Sequence, residues 1–246
     1  MPKGTSSFRK FHLRVYVLAV GALKLYVSKD ILALFANAPY EFPPRPNNSS
    51  DAIYDLTSHL TNTCLQDLPK EANPNVHLFN DLVGSTARIA TGDRAITQED
   101  VDEAFDKTSA LLAETWKAAL GSGSQFQVRL RSFMAIGHIA YFKEQPLPNA
   151  FELYGVDILL EYLYFPSQPS IAESCASDKL QPYLLEINAC PDFAQTGTEL
   201  SSIIDRLFEN TLKLAVLPFF DNIDLTKLEN ETPELHKCLD VEVRSW

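Results

Sequence analysis

Glycine is scarce in this chain. Nine glycines in 246 residues fall well below the ~7 % of ordinary usage. No G-x-G-x-x-G and no G-x-x-x-x-G-K-[S/T] occurs, so no glycine-rich phosphate loop is expected in these residues. Paired cysteines are absent too. Cys64, Cys175, Cys190 and Cys238 lie far apart and form no C-x-x-C, which gives no zinc site or disulfide framework and points to free thiols in a reducing, cytoplasmic setting. Long apolar runs are missing. The longest uncharged apolar stretch near the start, residues 15–23, has nine residues, against the roughly 20 that a membrane-spanning helix needs. Met1-Pro2-Lys3-Gly4-Thr5 leads into no apolar segment, so neither a secretory leader nor a membrane partner is expected. Basic excess is lacking as well. The balance of 21 Lys and Arg against 32 Asp and Glu, net −11, argues against a general nucleic-acid binder.

What is present suits a folded domain. The hydrophobic share is 46 % and the charged share 22 %, enough for a sizeable core. Residues 11–20 are dense in β-branched and aromatic side chains and read as a strand. Gly21-Ala22 reads as a two-residue hairpin turn, with 23–27 the return strand. Period 2 sets Lys10, His12, Arg14 and Tyr16 on one face of the first strand and Leu13, Val15 and Val17 on the other. The second face reads as core. The first is either a solvent-facing edge or a working surface.

Residues 39–50 and 67–95 read as loops. Thr97, with Asp100 three residues on, marks a helix start with a capping-box variant. The apolar stripe from Val101 to Trp116 follows it. A second helix is expected over 124–143; its Arg129, Arg131, His138 and Lys143 read as a polar face. A third spans 199–217, stopped by Pro218. Residues 151–165 form a strand around the single buried acid Asp157. After a polar loop over 166–182, residues 183–188 form its antiparallel partner.

The chemistry concentrates there. Glu186 and Asn188 share one face of their strand, and an antiparallel neighbour brings Asp157 beside them. Two carboxylates and an amide oxygen form a hard, anionic donor set suited to Mg²⁺ together with phosphates and water. An acid at such a place can equally be a cap or half of an ion pair. His59-Leu60-Thr61-Asn62 offers a hydroxyl and an amide in tandem, able to bond a phosphate or acyl oxygen, although turns often hold Thr-Asn.

Four segments in order carry a resemblance: residues 9–18 (RKFHLRVYVL), 59–66 (HLTNTCLQ), 154–157 (YGVD) and 185–191 (LEINACP). Together they resemble the tubulin–tyrosine ligase family, a branch of the ATP-grasp ligases, and fungal members most. The resemblance implies an α+β fold, the C-terminal subdomain of an ATP-grasp ligase, with a mostly antiparallel sheet flanked by helices. It implies an N-terminal tail over 1–8, a partial ligase domain over 9–220 and an extension over 221–246. The implied reaction uses ATP and Mg²⁺ to activate a carboxylate as an acyl phosphate, which a free amino acid's amine attacks. The acceptor is an acidic protein tail, typically of tubulin. Carried over by motif, Asp157, Glu186 and Asn188 hold metal, Lys10 and Arg14 meet phosphates, and Thr61 and Asn62 line the transfer site. Arg14, Asp157, Glu186 and Asn188 are then the catalytic set. The family's further phosphate-binding arginine is missing from residues 30–35, with Ala33 at the matching position. The chain also starts where the family's second half starts, so a preceding subdomain or a partner chain is expected to supply the other wall of the site. A non-catalytic interaction module with the same fold is the alternative.

Overall fold

The structure, a computed structural model, describes residues 8–21, 23–41, 56–62, 66, 74–89, 92–121, 149–163, 179–197, 200–220 and 223–241. The expected 124–143 helix with Arg129, Arg131, His138 and Lys143 lies outside them, as do most of the 39–50 loop, Cys64 and Cys175. In chain order the strands are β1 (Phe11–Val20), β2 (Lys24–Ser28), β3 (Leu32–Phe35), β4 (Val76–Leu78), β5 (Thr86–Ile89), β6 (Gly92–Ala95), β7 (Phe151–Leu163), β8 (Lys179–Asn188) and β9 (Leu235–Asp240). The helices are α1 (Gln98–Gly121), α2 (Ser201–Thr211) and α3 (Leu225–Glu231).

Among the described residues β1 is the hub of a seven-stranded sheet in which every pairing is antiparallel. β7 runs along one edge of β1 from Leu13 to Val20. The other edge is shared. β3 pairs with Phe11 to Arg14, and β2 pairs with Val17 to Val20. The sheet therefore forks beside Tyr16, with β4 beyond β3 and β9 beyond β2. The Leu235–Asp240 segment, inside the expected C-terminal extension, closes one edge of this sheet.

Both faces of β1 are covered. Leu13, Val15, Val17 and Val156 pack in one apolar cluster with Leu112 and Trp116 of α1. Tyr16, Leu18, Leu32 and Leu34 pack in a second with Ile203 and Leu207 of α2 and Leu228 of α3. Each side chain buried this fully contributes ~1.5–3 kcal/mol. The face that carries His12, Arg14 and Tyr16 is thus not a solvent-facing edge, since all three side chains are buried and Tyr16 packs in the cluster shared with α2 and α3. Among the described residues no helix is long and apolar enough to cross a membrane.

α1 starts as the capping box directs. Thr97 N–H donates to Asp100 Oδ2 at 2.8 Å, and Asp100 N–H returns a bond to Thr97 Oγ1 at 3.2 Å, which satisfies two otherwise orphaned donors. Other local expectations are corrected. Val20 pairs with Lys24, so three residues rather than two join β1 to β2. Residues 67–95 are not simply loop. They hold β4, a 3₁₀ turn at Phe79–Leu82 and the β5–β6 hairpin. Pro182 lies inside β8, opposite Leu160. A proline is tolerated there because β8 pairs with β7 alone among the described strands, and an outward backbone nitrogen needs no ladder bond.

Pro218 does not end the third expected helix at 217. α2 passes through a π turn at Leu212–Val216 into Leu217–Phe220. Leu217 N–H reaches back to Leu212 O across that turn. Such a wider turn opens the ladder just before the proline, which has no N–H to place and whose ring would otherwise meet the carbonyl four residues earlier.

Candidate functional site

Three neighbouring strands gather the polar residues. In register, Arg14 of β1 faces Asp157 of β7, Asp157 faces Glu186 of β8, and Gly155 faces Asn188. Directly opposed residues project to the same side of a sheet. Arg14, Asp157, Glu186 and Asn188 thus share one face, that of Tyr16 and α2. A β-bulge at Leu185 lies next to this row, where the register shifts between Asp157 and Ile158. It lets Leu184 and Ile187 both enter the α1-side core while Glu186 stays opposite Asp157, a turn of the strand that plain alternation would not allow.

Asp157 is 3 % exposed and Arg14 7 %. Arg14 Nε donates to Oδ1 at 2.5 Å and Nη2 to Oδ2 at 3.1 Å, a fork-to-fork pair. Burial alone would raise the Asp157 pKa. The nearby His12 ring, and the hydrogen bonds and charge of Arg14, outweigh it and bring the carboxyl to about 2. The Arg14 guanidinium is likewise held charged against its own burial by Asp157. Asn188 Nδ2 donates to Glu186 Oε1 at 3.0 Å.

Gly155 makes the arrangement possible. A Cβ at this position would lie 2.8 Å from Pro191 Cβ and 3.3 Å from Arg14 Cδ. Only a residue without a side chain lets the Arg14 stem lie flat across β7 beneath Pro191. A shallow pocket opens beside Arg14 and Tyr16, lined also by Leu32, Leu34, Val76, Asp192 and Thr196.

Thr61 joins the cluster through His12. Its Oγ1 is 2.6 Å from His12 Nδ1, and His12 Nε2 lies 3.5 Å from Asp157 Oδ1. Period-2 alternation sets His12 on this face but gives it no role, because its partner lies 49 residues away in the chain. Lys10, half-buried before β1, and Asn62, half-buried after Thr61, make no polar side-chain contact with this cluster. Ala33 is corrected. It pairs with Leu13 and packs on the α1 side, away from Arg14. The β3 positions on the site's face are Leu32 and Leu34, so β3 presents no cation there.

The donor set suits a hard divalent cation. Among the described residues no three or more His, Cys, Asp or Glu side chains are arranged to hold a metal ion. The oxygen donors that could hold one are Asp157, Glu186 and the Asn188 amide, which share one face of β7 and β8. A carboxylate offers about four lone-pair directions, and Arg14 and His12 occupy at most three on Asp157. Two carboxylates and one amide, completed by phosphates and water, match Mg²⁺.

A model of the tubulin-tyrosine ligase family matches residues 4–224. The chain belongs to the tubulin-tyrosine ligase family. Within the family it is 33 % identical over 240 residues to the probable tubulin–tyrosine ligase PBY1 of Saccharomyces cerevisiae, covering 97 % of this chain and 26 % of that protein. It is 33 % identical over 215 residues to the probable tubulin–tyrosine ligase C12B10.04 of Schizosaccharomyces pombe, covering 87 % and 40 %. The human tubulin polyglutamylase TTLL6 is 25 % identical over 243 residues. The chain thus spans well under half the length of these relatives. Among solved structures it is similar to the C-terminal domain of K. lactis Pby1, described as an ATP-grasp enzyme that interacts with the mRNA decapping enzyme Dcp2. The TM-score is 0.57 at 26 % identity, over 95 % of this chain and 48 % of that one. The α+β architecture is accordingly that of an ATP-grasp domain.

Proposed function

We propose that this chain carries the metal- and phosphate-facing portion of an ATP- and Mg²⁺-dependent ligase that joins a free amino acid to a protein carboxylate through an acyl phosphate. The observation that carries the reading is the placement of Arg14, Asp157, Glu186 and Asn188 on one face of three adjacent strands. Phosphoryl transfer needs little beyond positioning and charge neutralisation, and this face offers an oxygen cluster beside a buried guanidinium. Asp157, Glu186 and Asn188 would hold Mg²⁺, which supplies neutralisation of phosphate charge when bound. Arg14 keeps Asp157 ionised and aimed. Lys10 and Arg14 serve the phosphates, and Thr61 and Asn62 line the transfer site. On this reading residues 9–220 form the ligase-type domain, preceded by a tail over 1–8 and followed by 221–246. The reaction is cytoplasmic, the acceptor is an acidic protein tail like that of tubulin, and a further subdomain or partner chain completes the nucleotide site.

Calorimetric titration of the chain with ATP, with and without Mg²⁺, tests the reading. Metal-dependent binding that Glu186→Gln removes while the fold persists is the expected outcome. Equal Mg–ATP affinity in the two proteins refutes the metal assignment. A second reading, a non-catalytic interaction module, is favoured by the leucines of β3 at the face where a phosphate-binding cation would stand. A folded chain that binds no Mg–ATP supports that one.

A further inference from the structure

We propose that His12 is a positioning residue, tying the 56–62 segment with Thr61 and Asn62 to the hub strand beside Asp157. His12 is 3 % exposed on the hub strand, opposite Leu34. The other β1 and β3 residues buried on its face include Leu18, Leu32 and Leu34, so an apolar side chain would fill the position by packing alone. A buried imidazole there is costly unless its nitrogens find partners. Its Nδ1 lies 2.6 Å from Thr61 Oγ1, while the buried Nε2 makes no hydrogen bond among the described residues and faces Asp157 Oδ1 at 3.5 Å. A carboxylate on the Nε2 side selects the proton there, which makes Nδ1 the acceptor and the Thr61 hydroxyl the donor. The Thr61 hydroxyl is thereby turned inward, and its lone pairs remain for whatever occupies the site.

The segment is also held from other directions. Ala38 N–H donates to Thr57 O at 3.2 Å, and the Tyr40 and His59 rings meet edge to face at 5.3 Å. These contacts fix its outer part. The His12 bond fixes Thr61 itself relative to the hub strand. A hydroxyl on a separate segment is thereby set beside the strands that carry Arg14 and Asp157, in the way outer partners orient the groups they bond. The consequence for nucleotide rests on the ligase reading; the tie itself does not.

Hydrogen exchange over 56–62 tests it in His12→Leu, Thr61→Val, the double variant and His12→Asn. Each single substitution should speed exchange in that segment by about tenfold, the worth of one hydrogen bond, with β1 and β7 unchanged. The double variant should match either single, because both remove the same bond. His12→Asn, whose amide reaches the Nδ1 position, should restore protection. Unchanged exchange in Thr61→Val, additive effects in the double variant, or no rescue by asparagine overturns the proposal. If His12→Leu does not fold, Thr61→Val and His12→Asn still decide. Mg–ATP titration of the same proteins should show affinity about tenfold weaker without the bond. The exchange data decide the tie whether or not the parent chain alone binds Mg–ATP.

Discussion

Arg14→Met removes the guanidinium while keeping most of the stem's bulk, and so tests what allows Asp157 to lie inside the sheet. Asp157, 3 % exposed, would lose both donors of its bidentate pair and keep His12 at 3.5 Å. Breaking a buried pair from one side costs ~3–5 kcal/mol, a large share of the ~5–15 kcal/mol that a domain has. The pH dependence separates this from lost packing. In the parent the Asp157 carboxyl is lowered from 3.8 to about 2. A folded-state value below the unfolded one means that the unfolded chain binds more protons in that interval. The stabilisation is therefore complete above about pH 4 and is lost as pH falls towards about 2. The shift corresponds to roughly 2–3 kcal/mol. In Arg14→Met, burial pushes the carboxyl up instead, so the stability gap between the two proteins should narrow across that interval. Urea unfolding followed by circular dichroism, near neutral pH and again from about pH 4 down to about pH 2, measures it. A loss below ~1 kcal/mol near neutral pH, or a gap that stays constant on acidification, refutes the reasoning. Arg14→Met with Asp157→Asn should recover much of the loss, since removing both partners strands no charge.

Other expectations follow from single contacts. Gly155→Ala brings a Cβ to 2.8 Å from Pro191 Cβ and should cost ~1–3 kcal/mol, read as a lower urea midpoint. An unchanged midpoint would mean that Pro191 yields freely. Burial pushes the Cys238 thiol up to about 11, whereas Cys190 is exposed. Iodoacetamide at mildly alkaline pH should therefore label Cys190 well before Cys238, as peptide mass mapping would show. Equal labelling rates would contradict the packing of β9.

Much of the architecture was legible because it is local. The bounds of β1 follow from an unbroken run of strand-forming residues, and the start of α1 from the Thr97–Asp100 pair. Pro218 and Pro182 misled for one reason. Proline's cost depends on whether its missing N–H and its ring meet a partner, and a π turn or an edge strand removes the conflict. Residues 67–95 read as loop because β4, β5 and β6 are three or four residues long, too short for a periodic pattern to register.

The candidate site divides along the same line. By itself the sequence determined that Glu186 and Asn188 share a strand face, that Asp157 lies on the preceding strand, and that Arg14 sits two residues from His12 with the same orientation. Period-2 alternation and a long-looped hairpin are enough for that. It took the folded chain to show that Arg14 pairs with Asp157 inside the sheet, that the Leu185 bulge keeps Glu186 opposite that carboxylate, and that Ala33 belongs to the other face. It alone joined Thr61 to His12. Each of these depends on strand register or on segments far apart in the chain, and register is set by how whole strands bury their faces rather than by any residue and its neighbours.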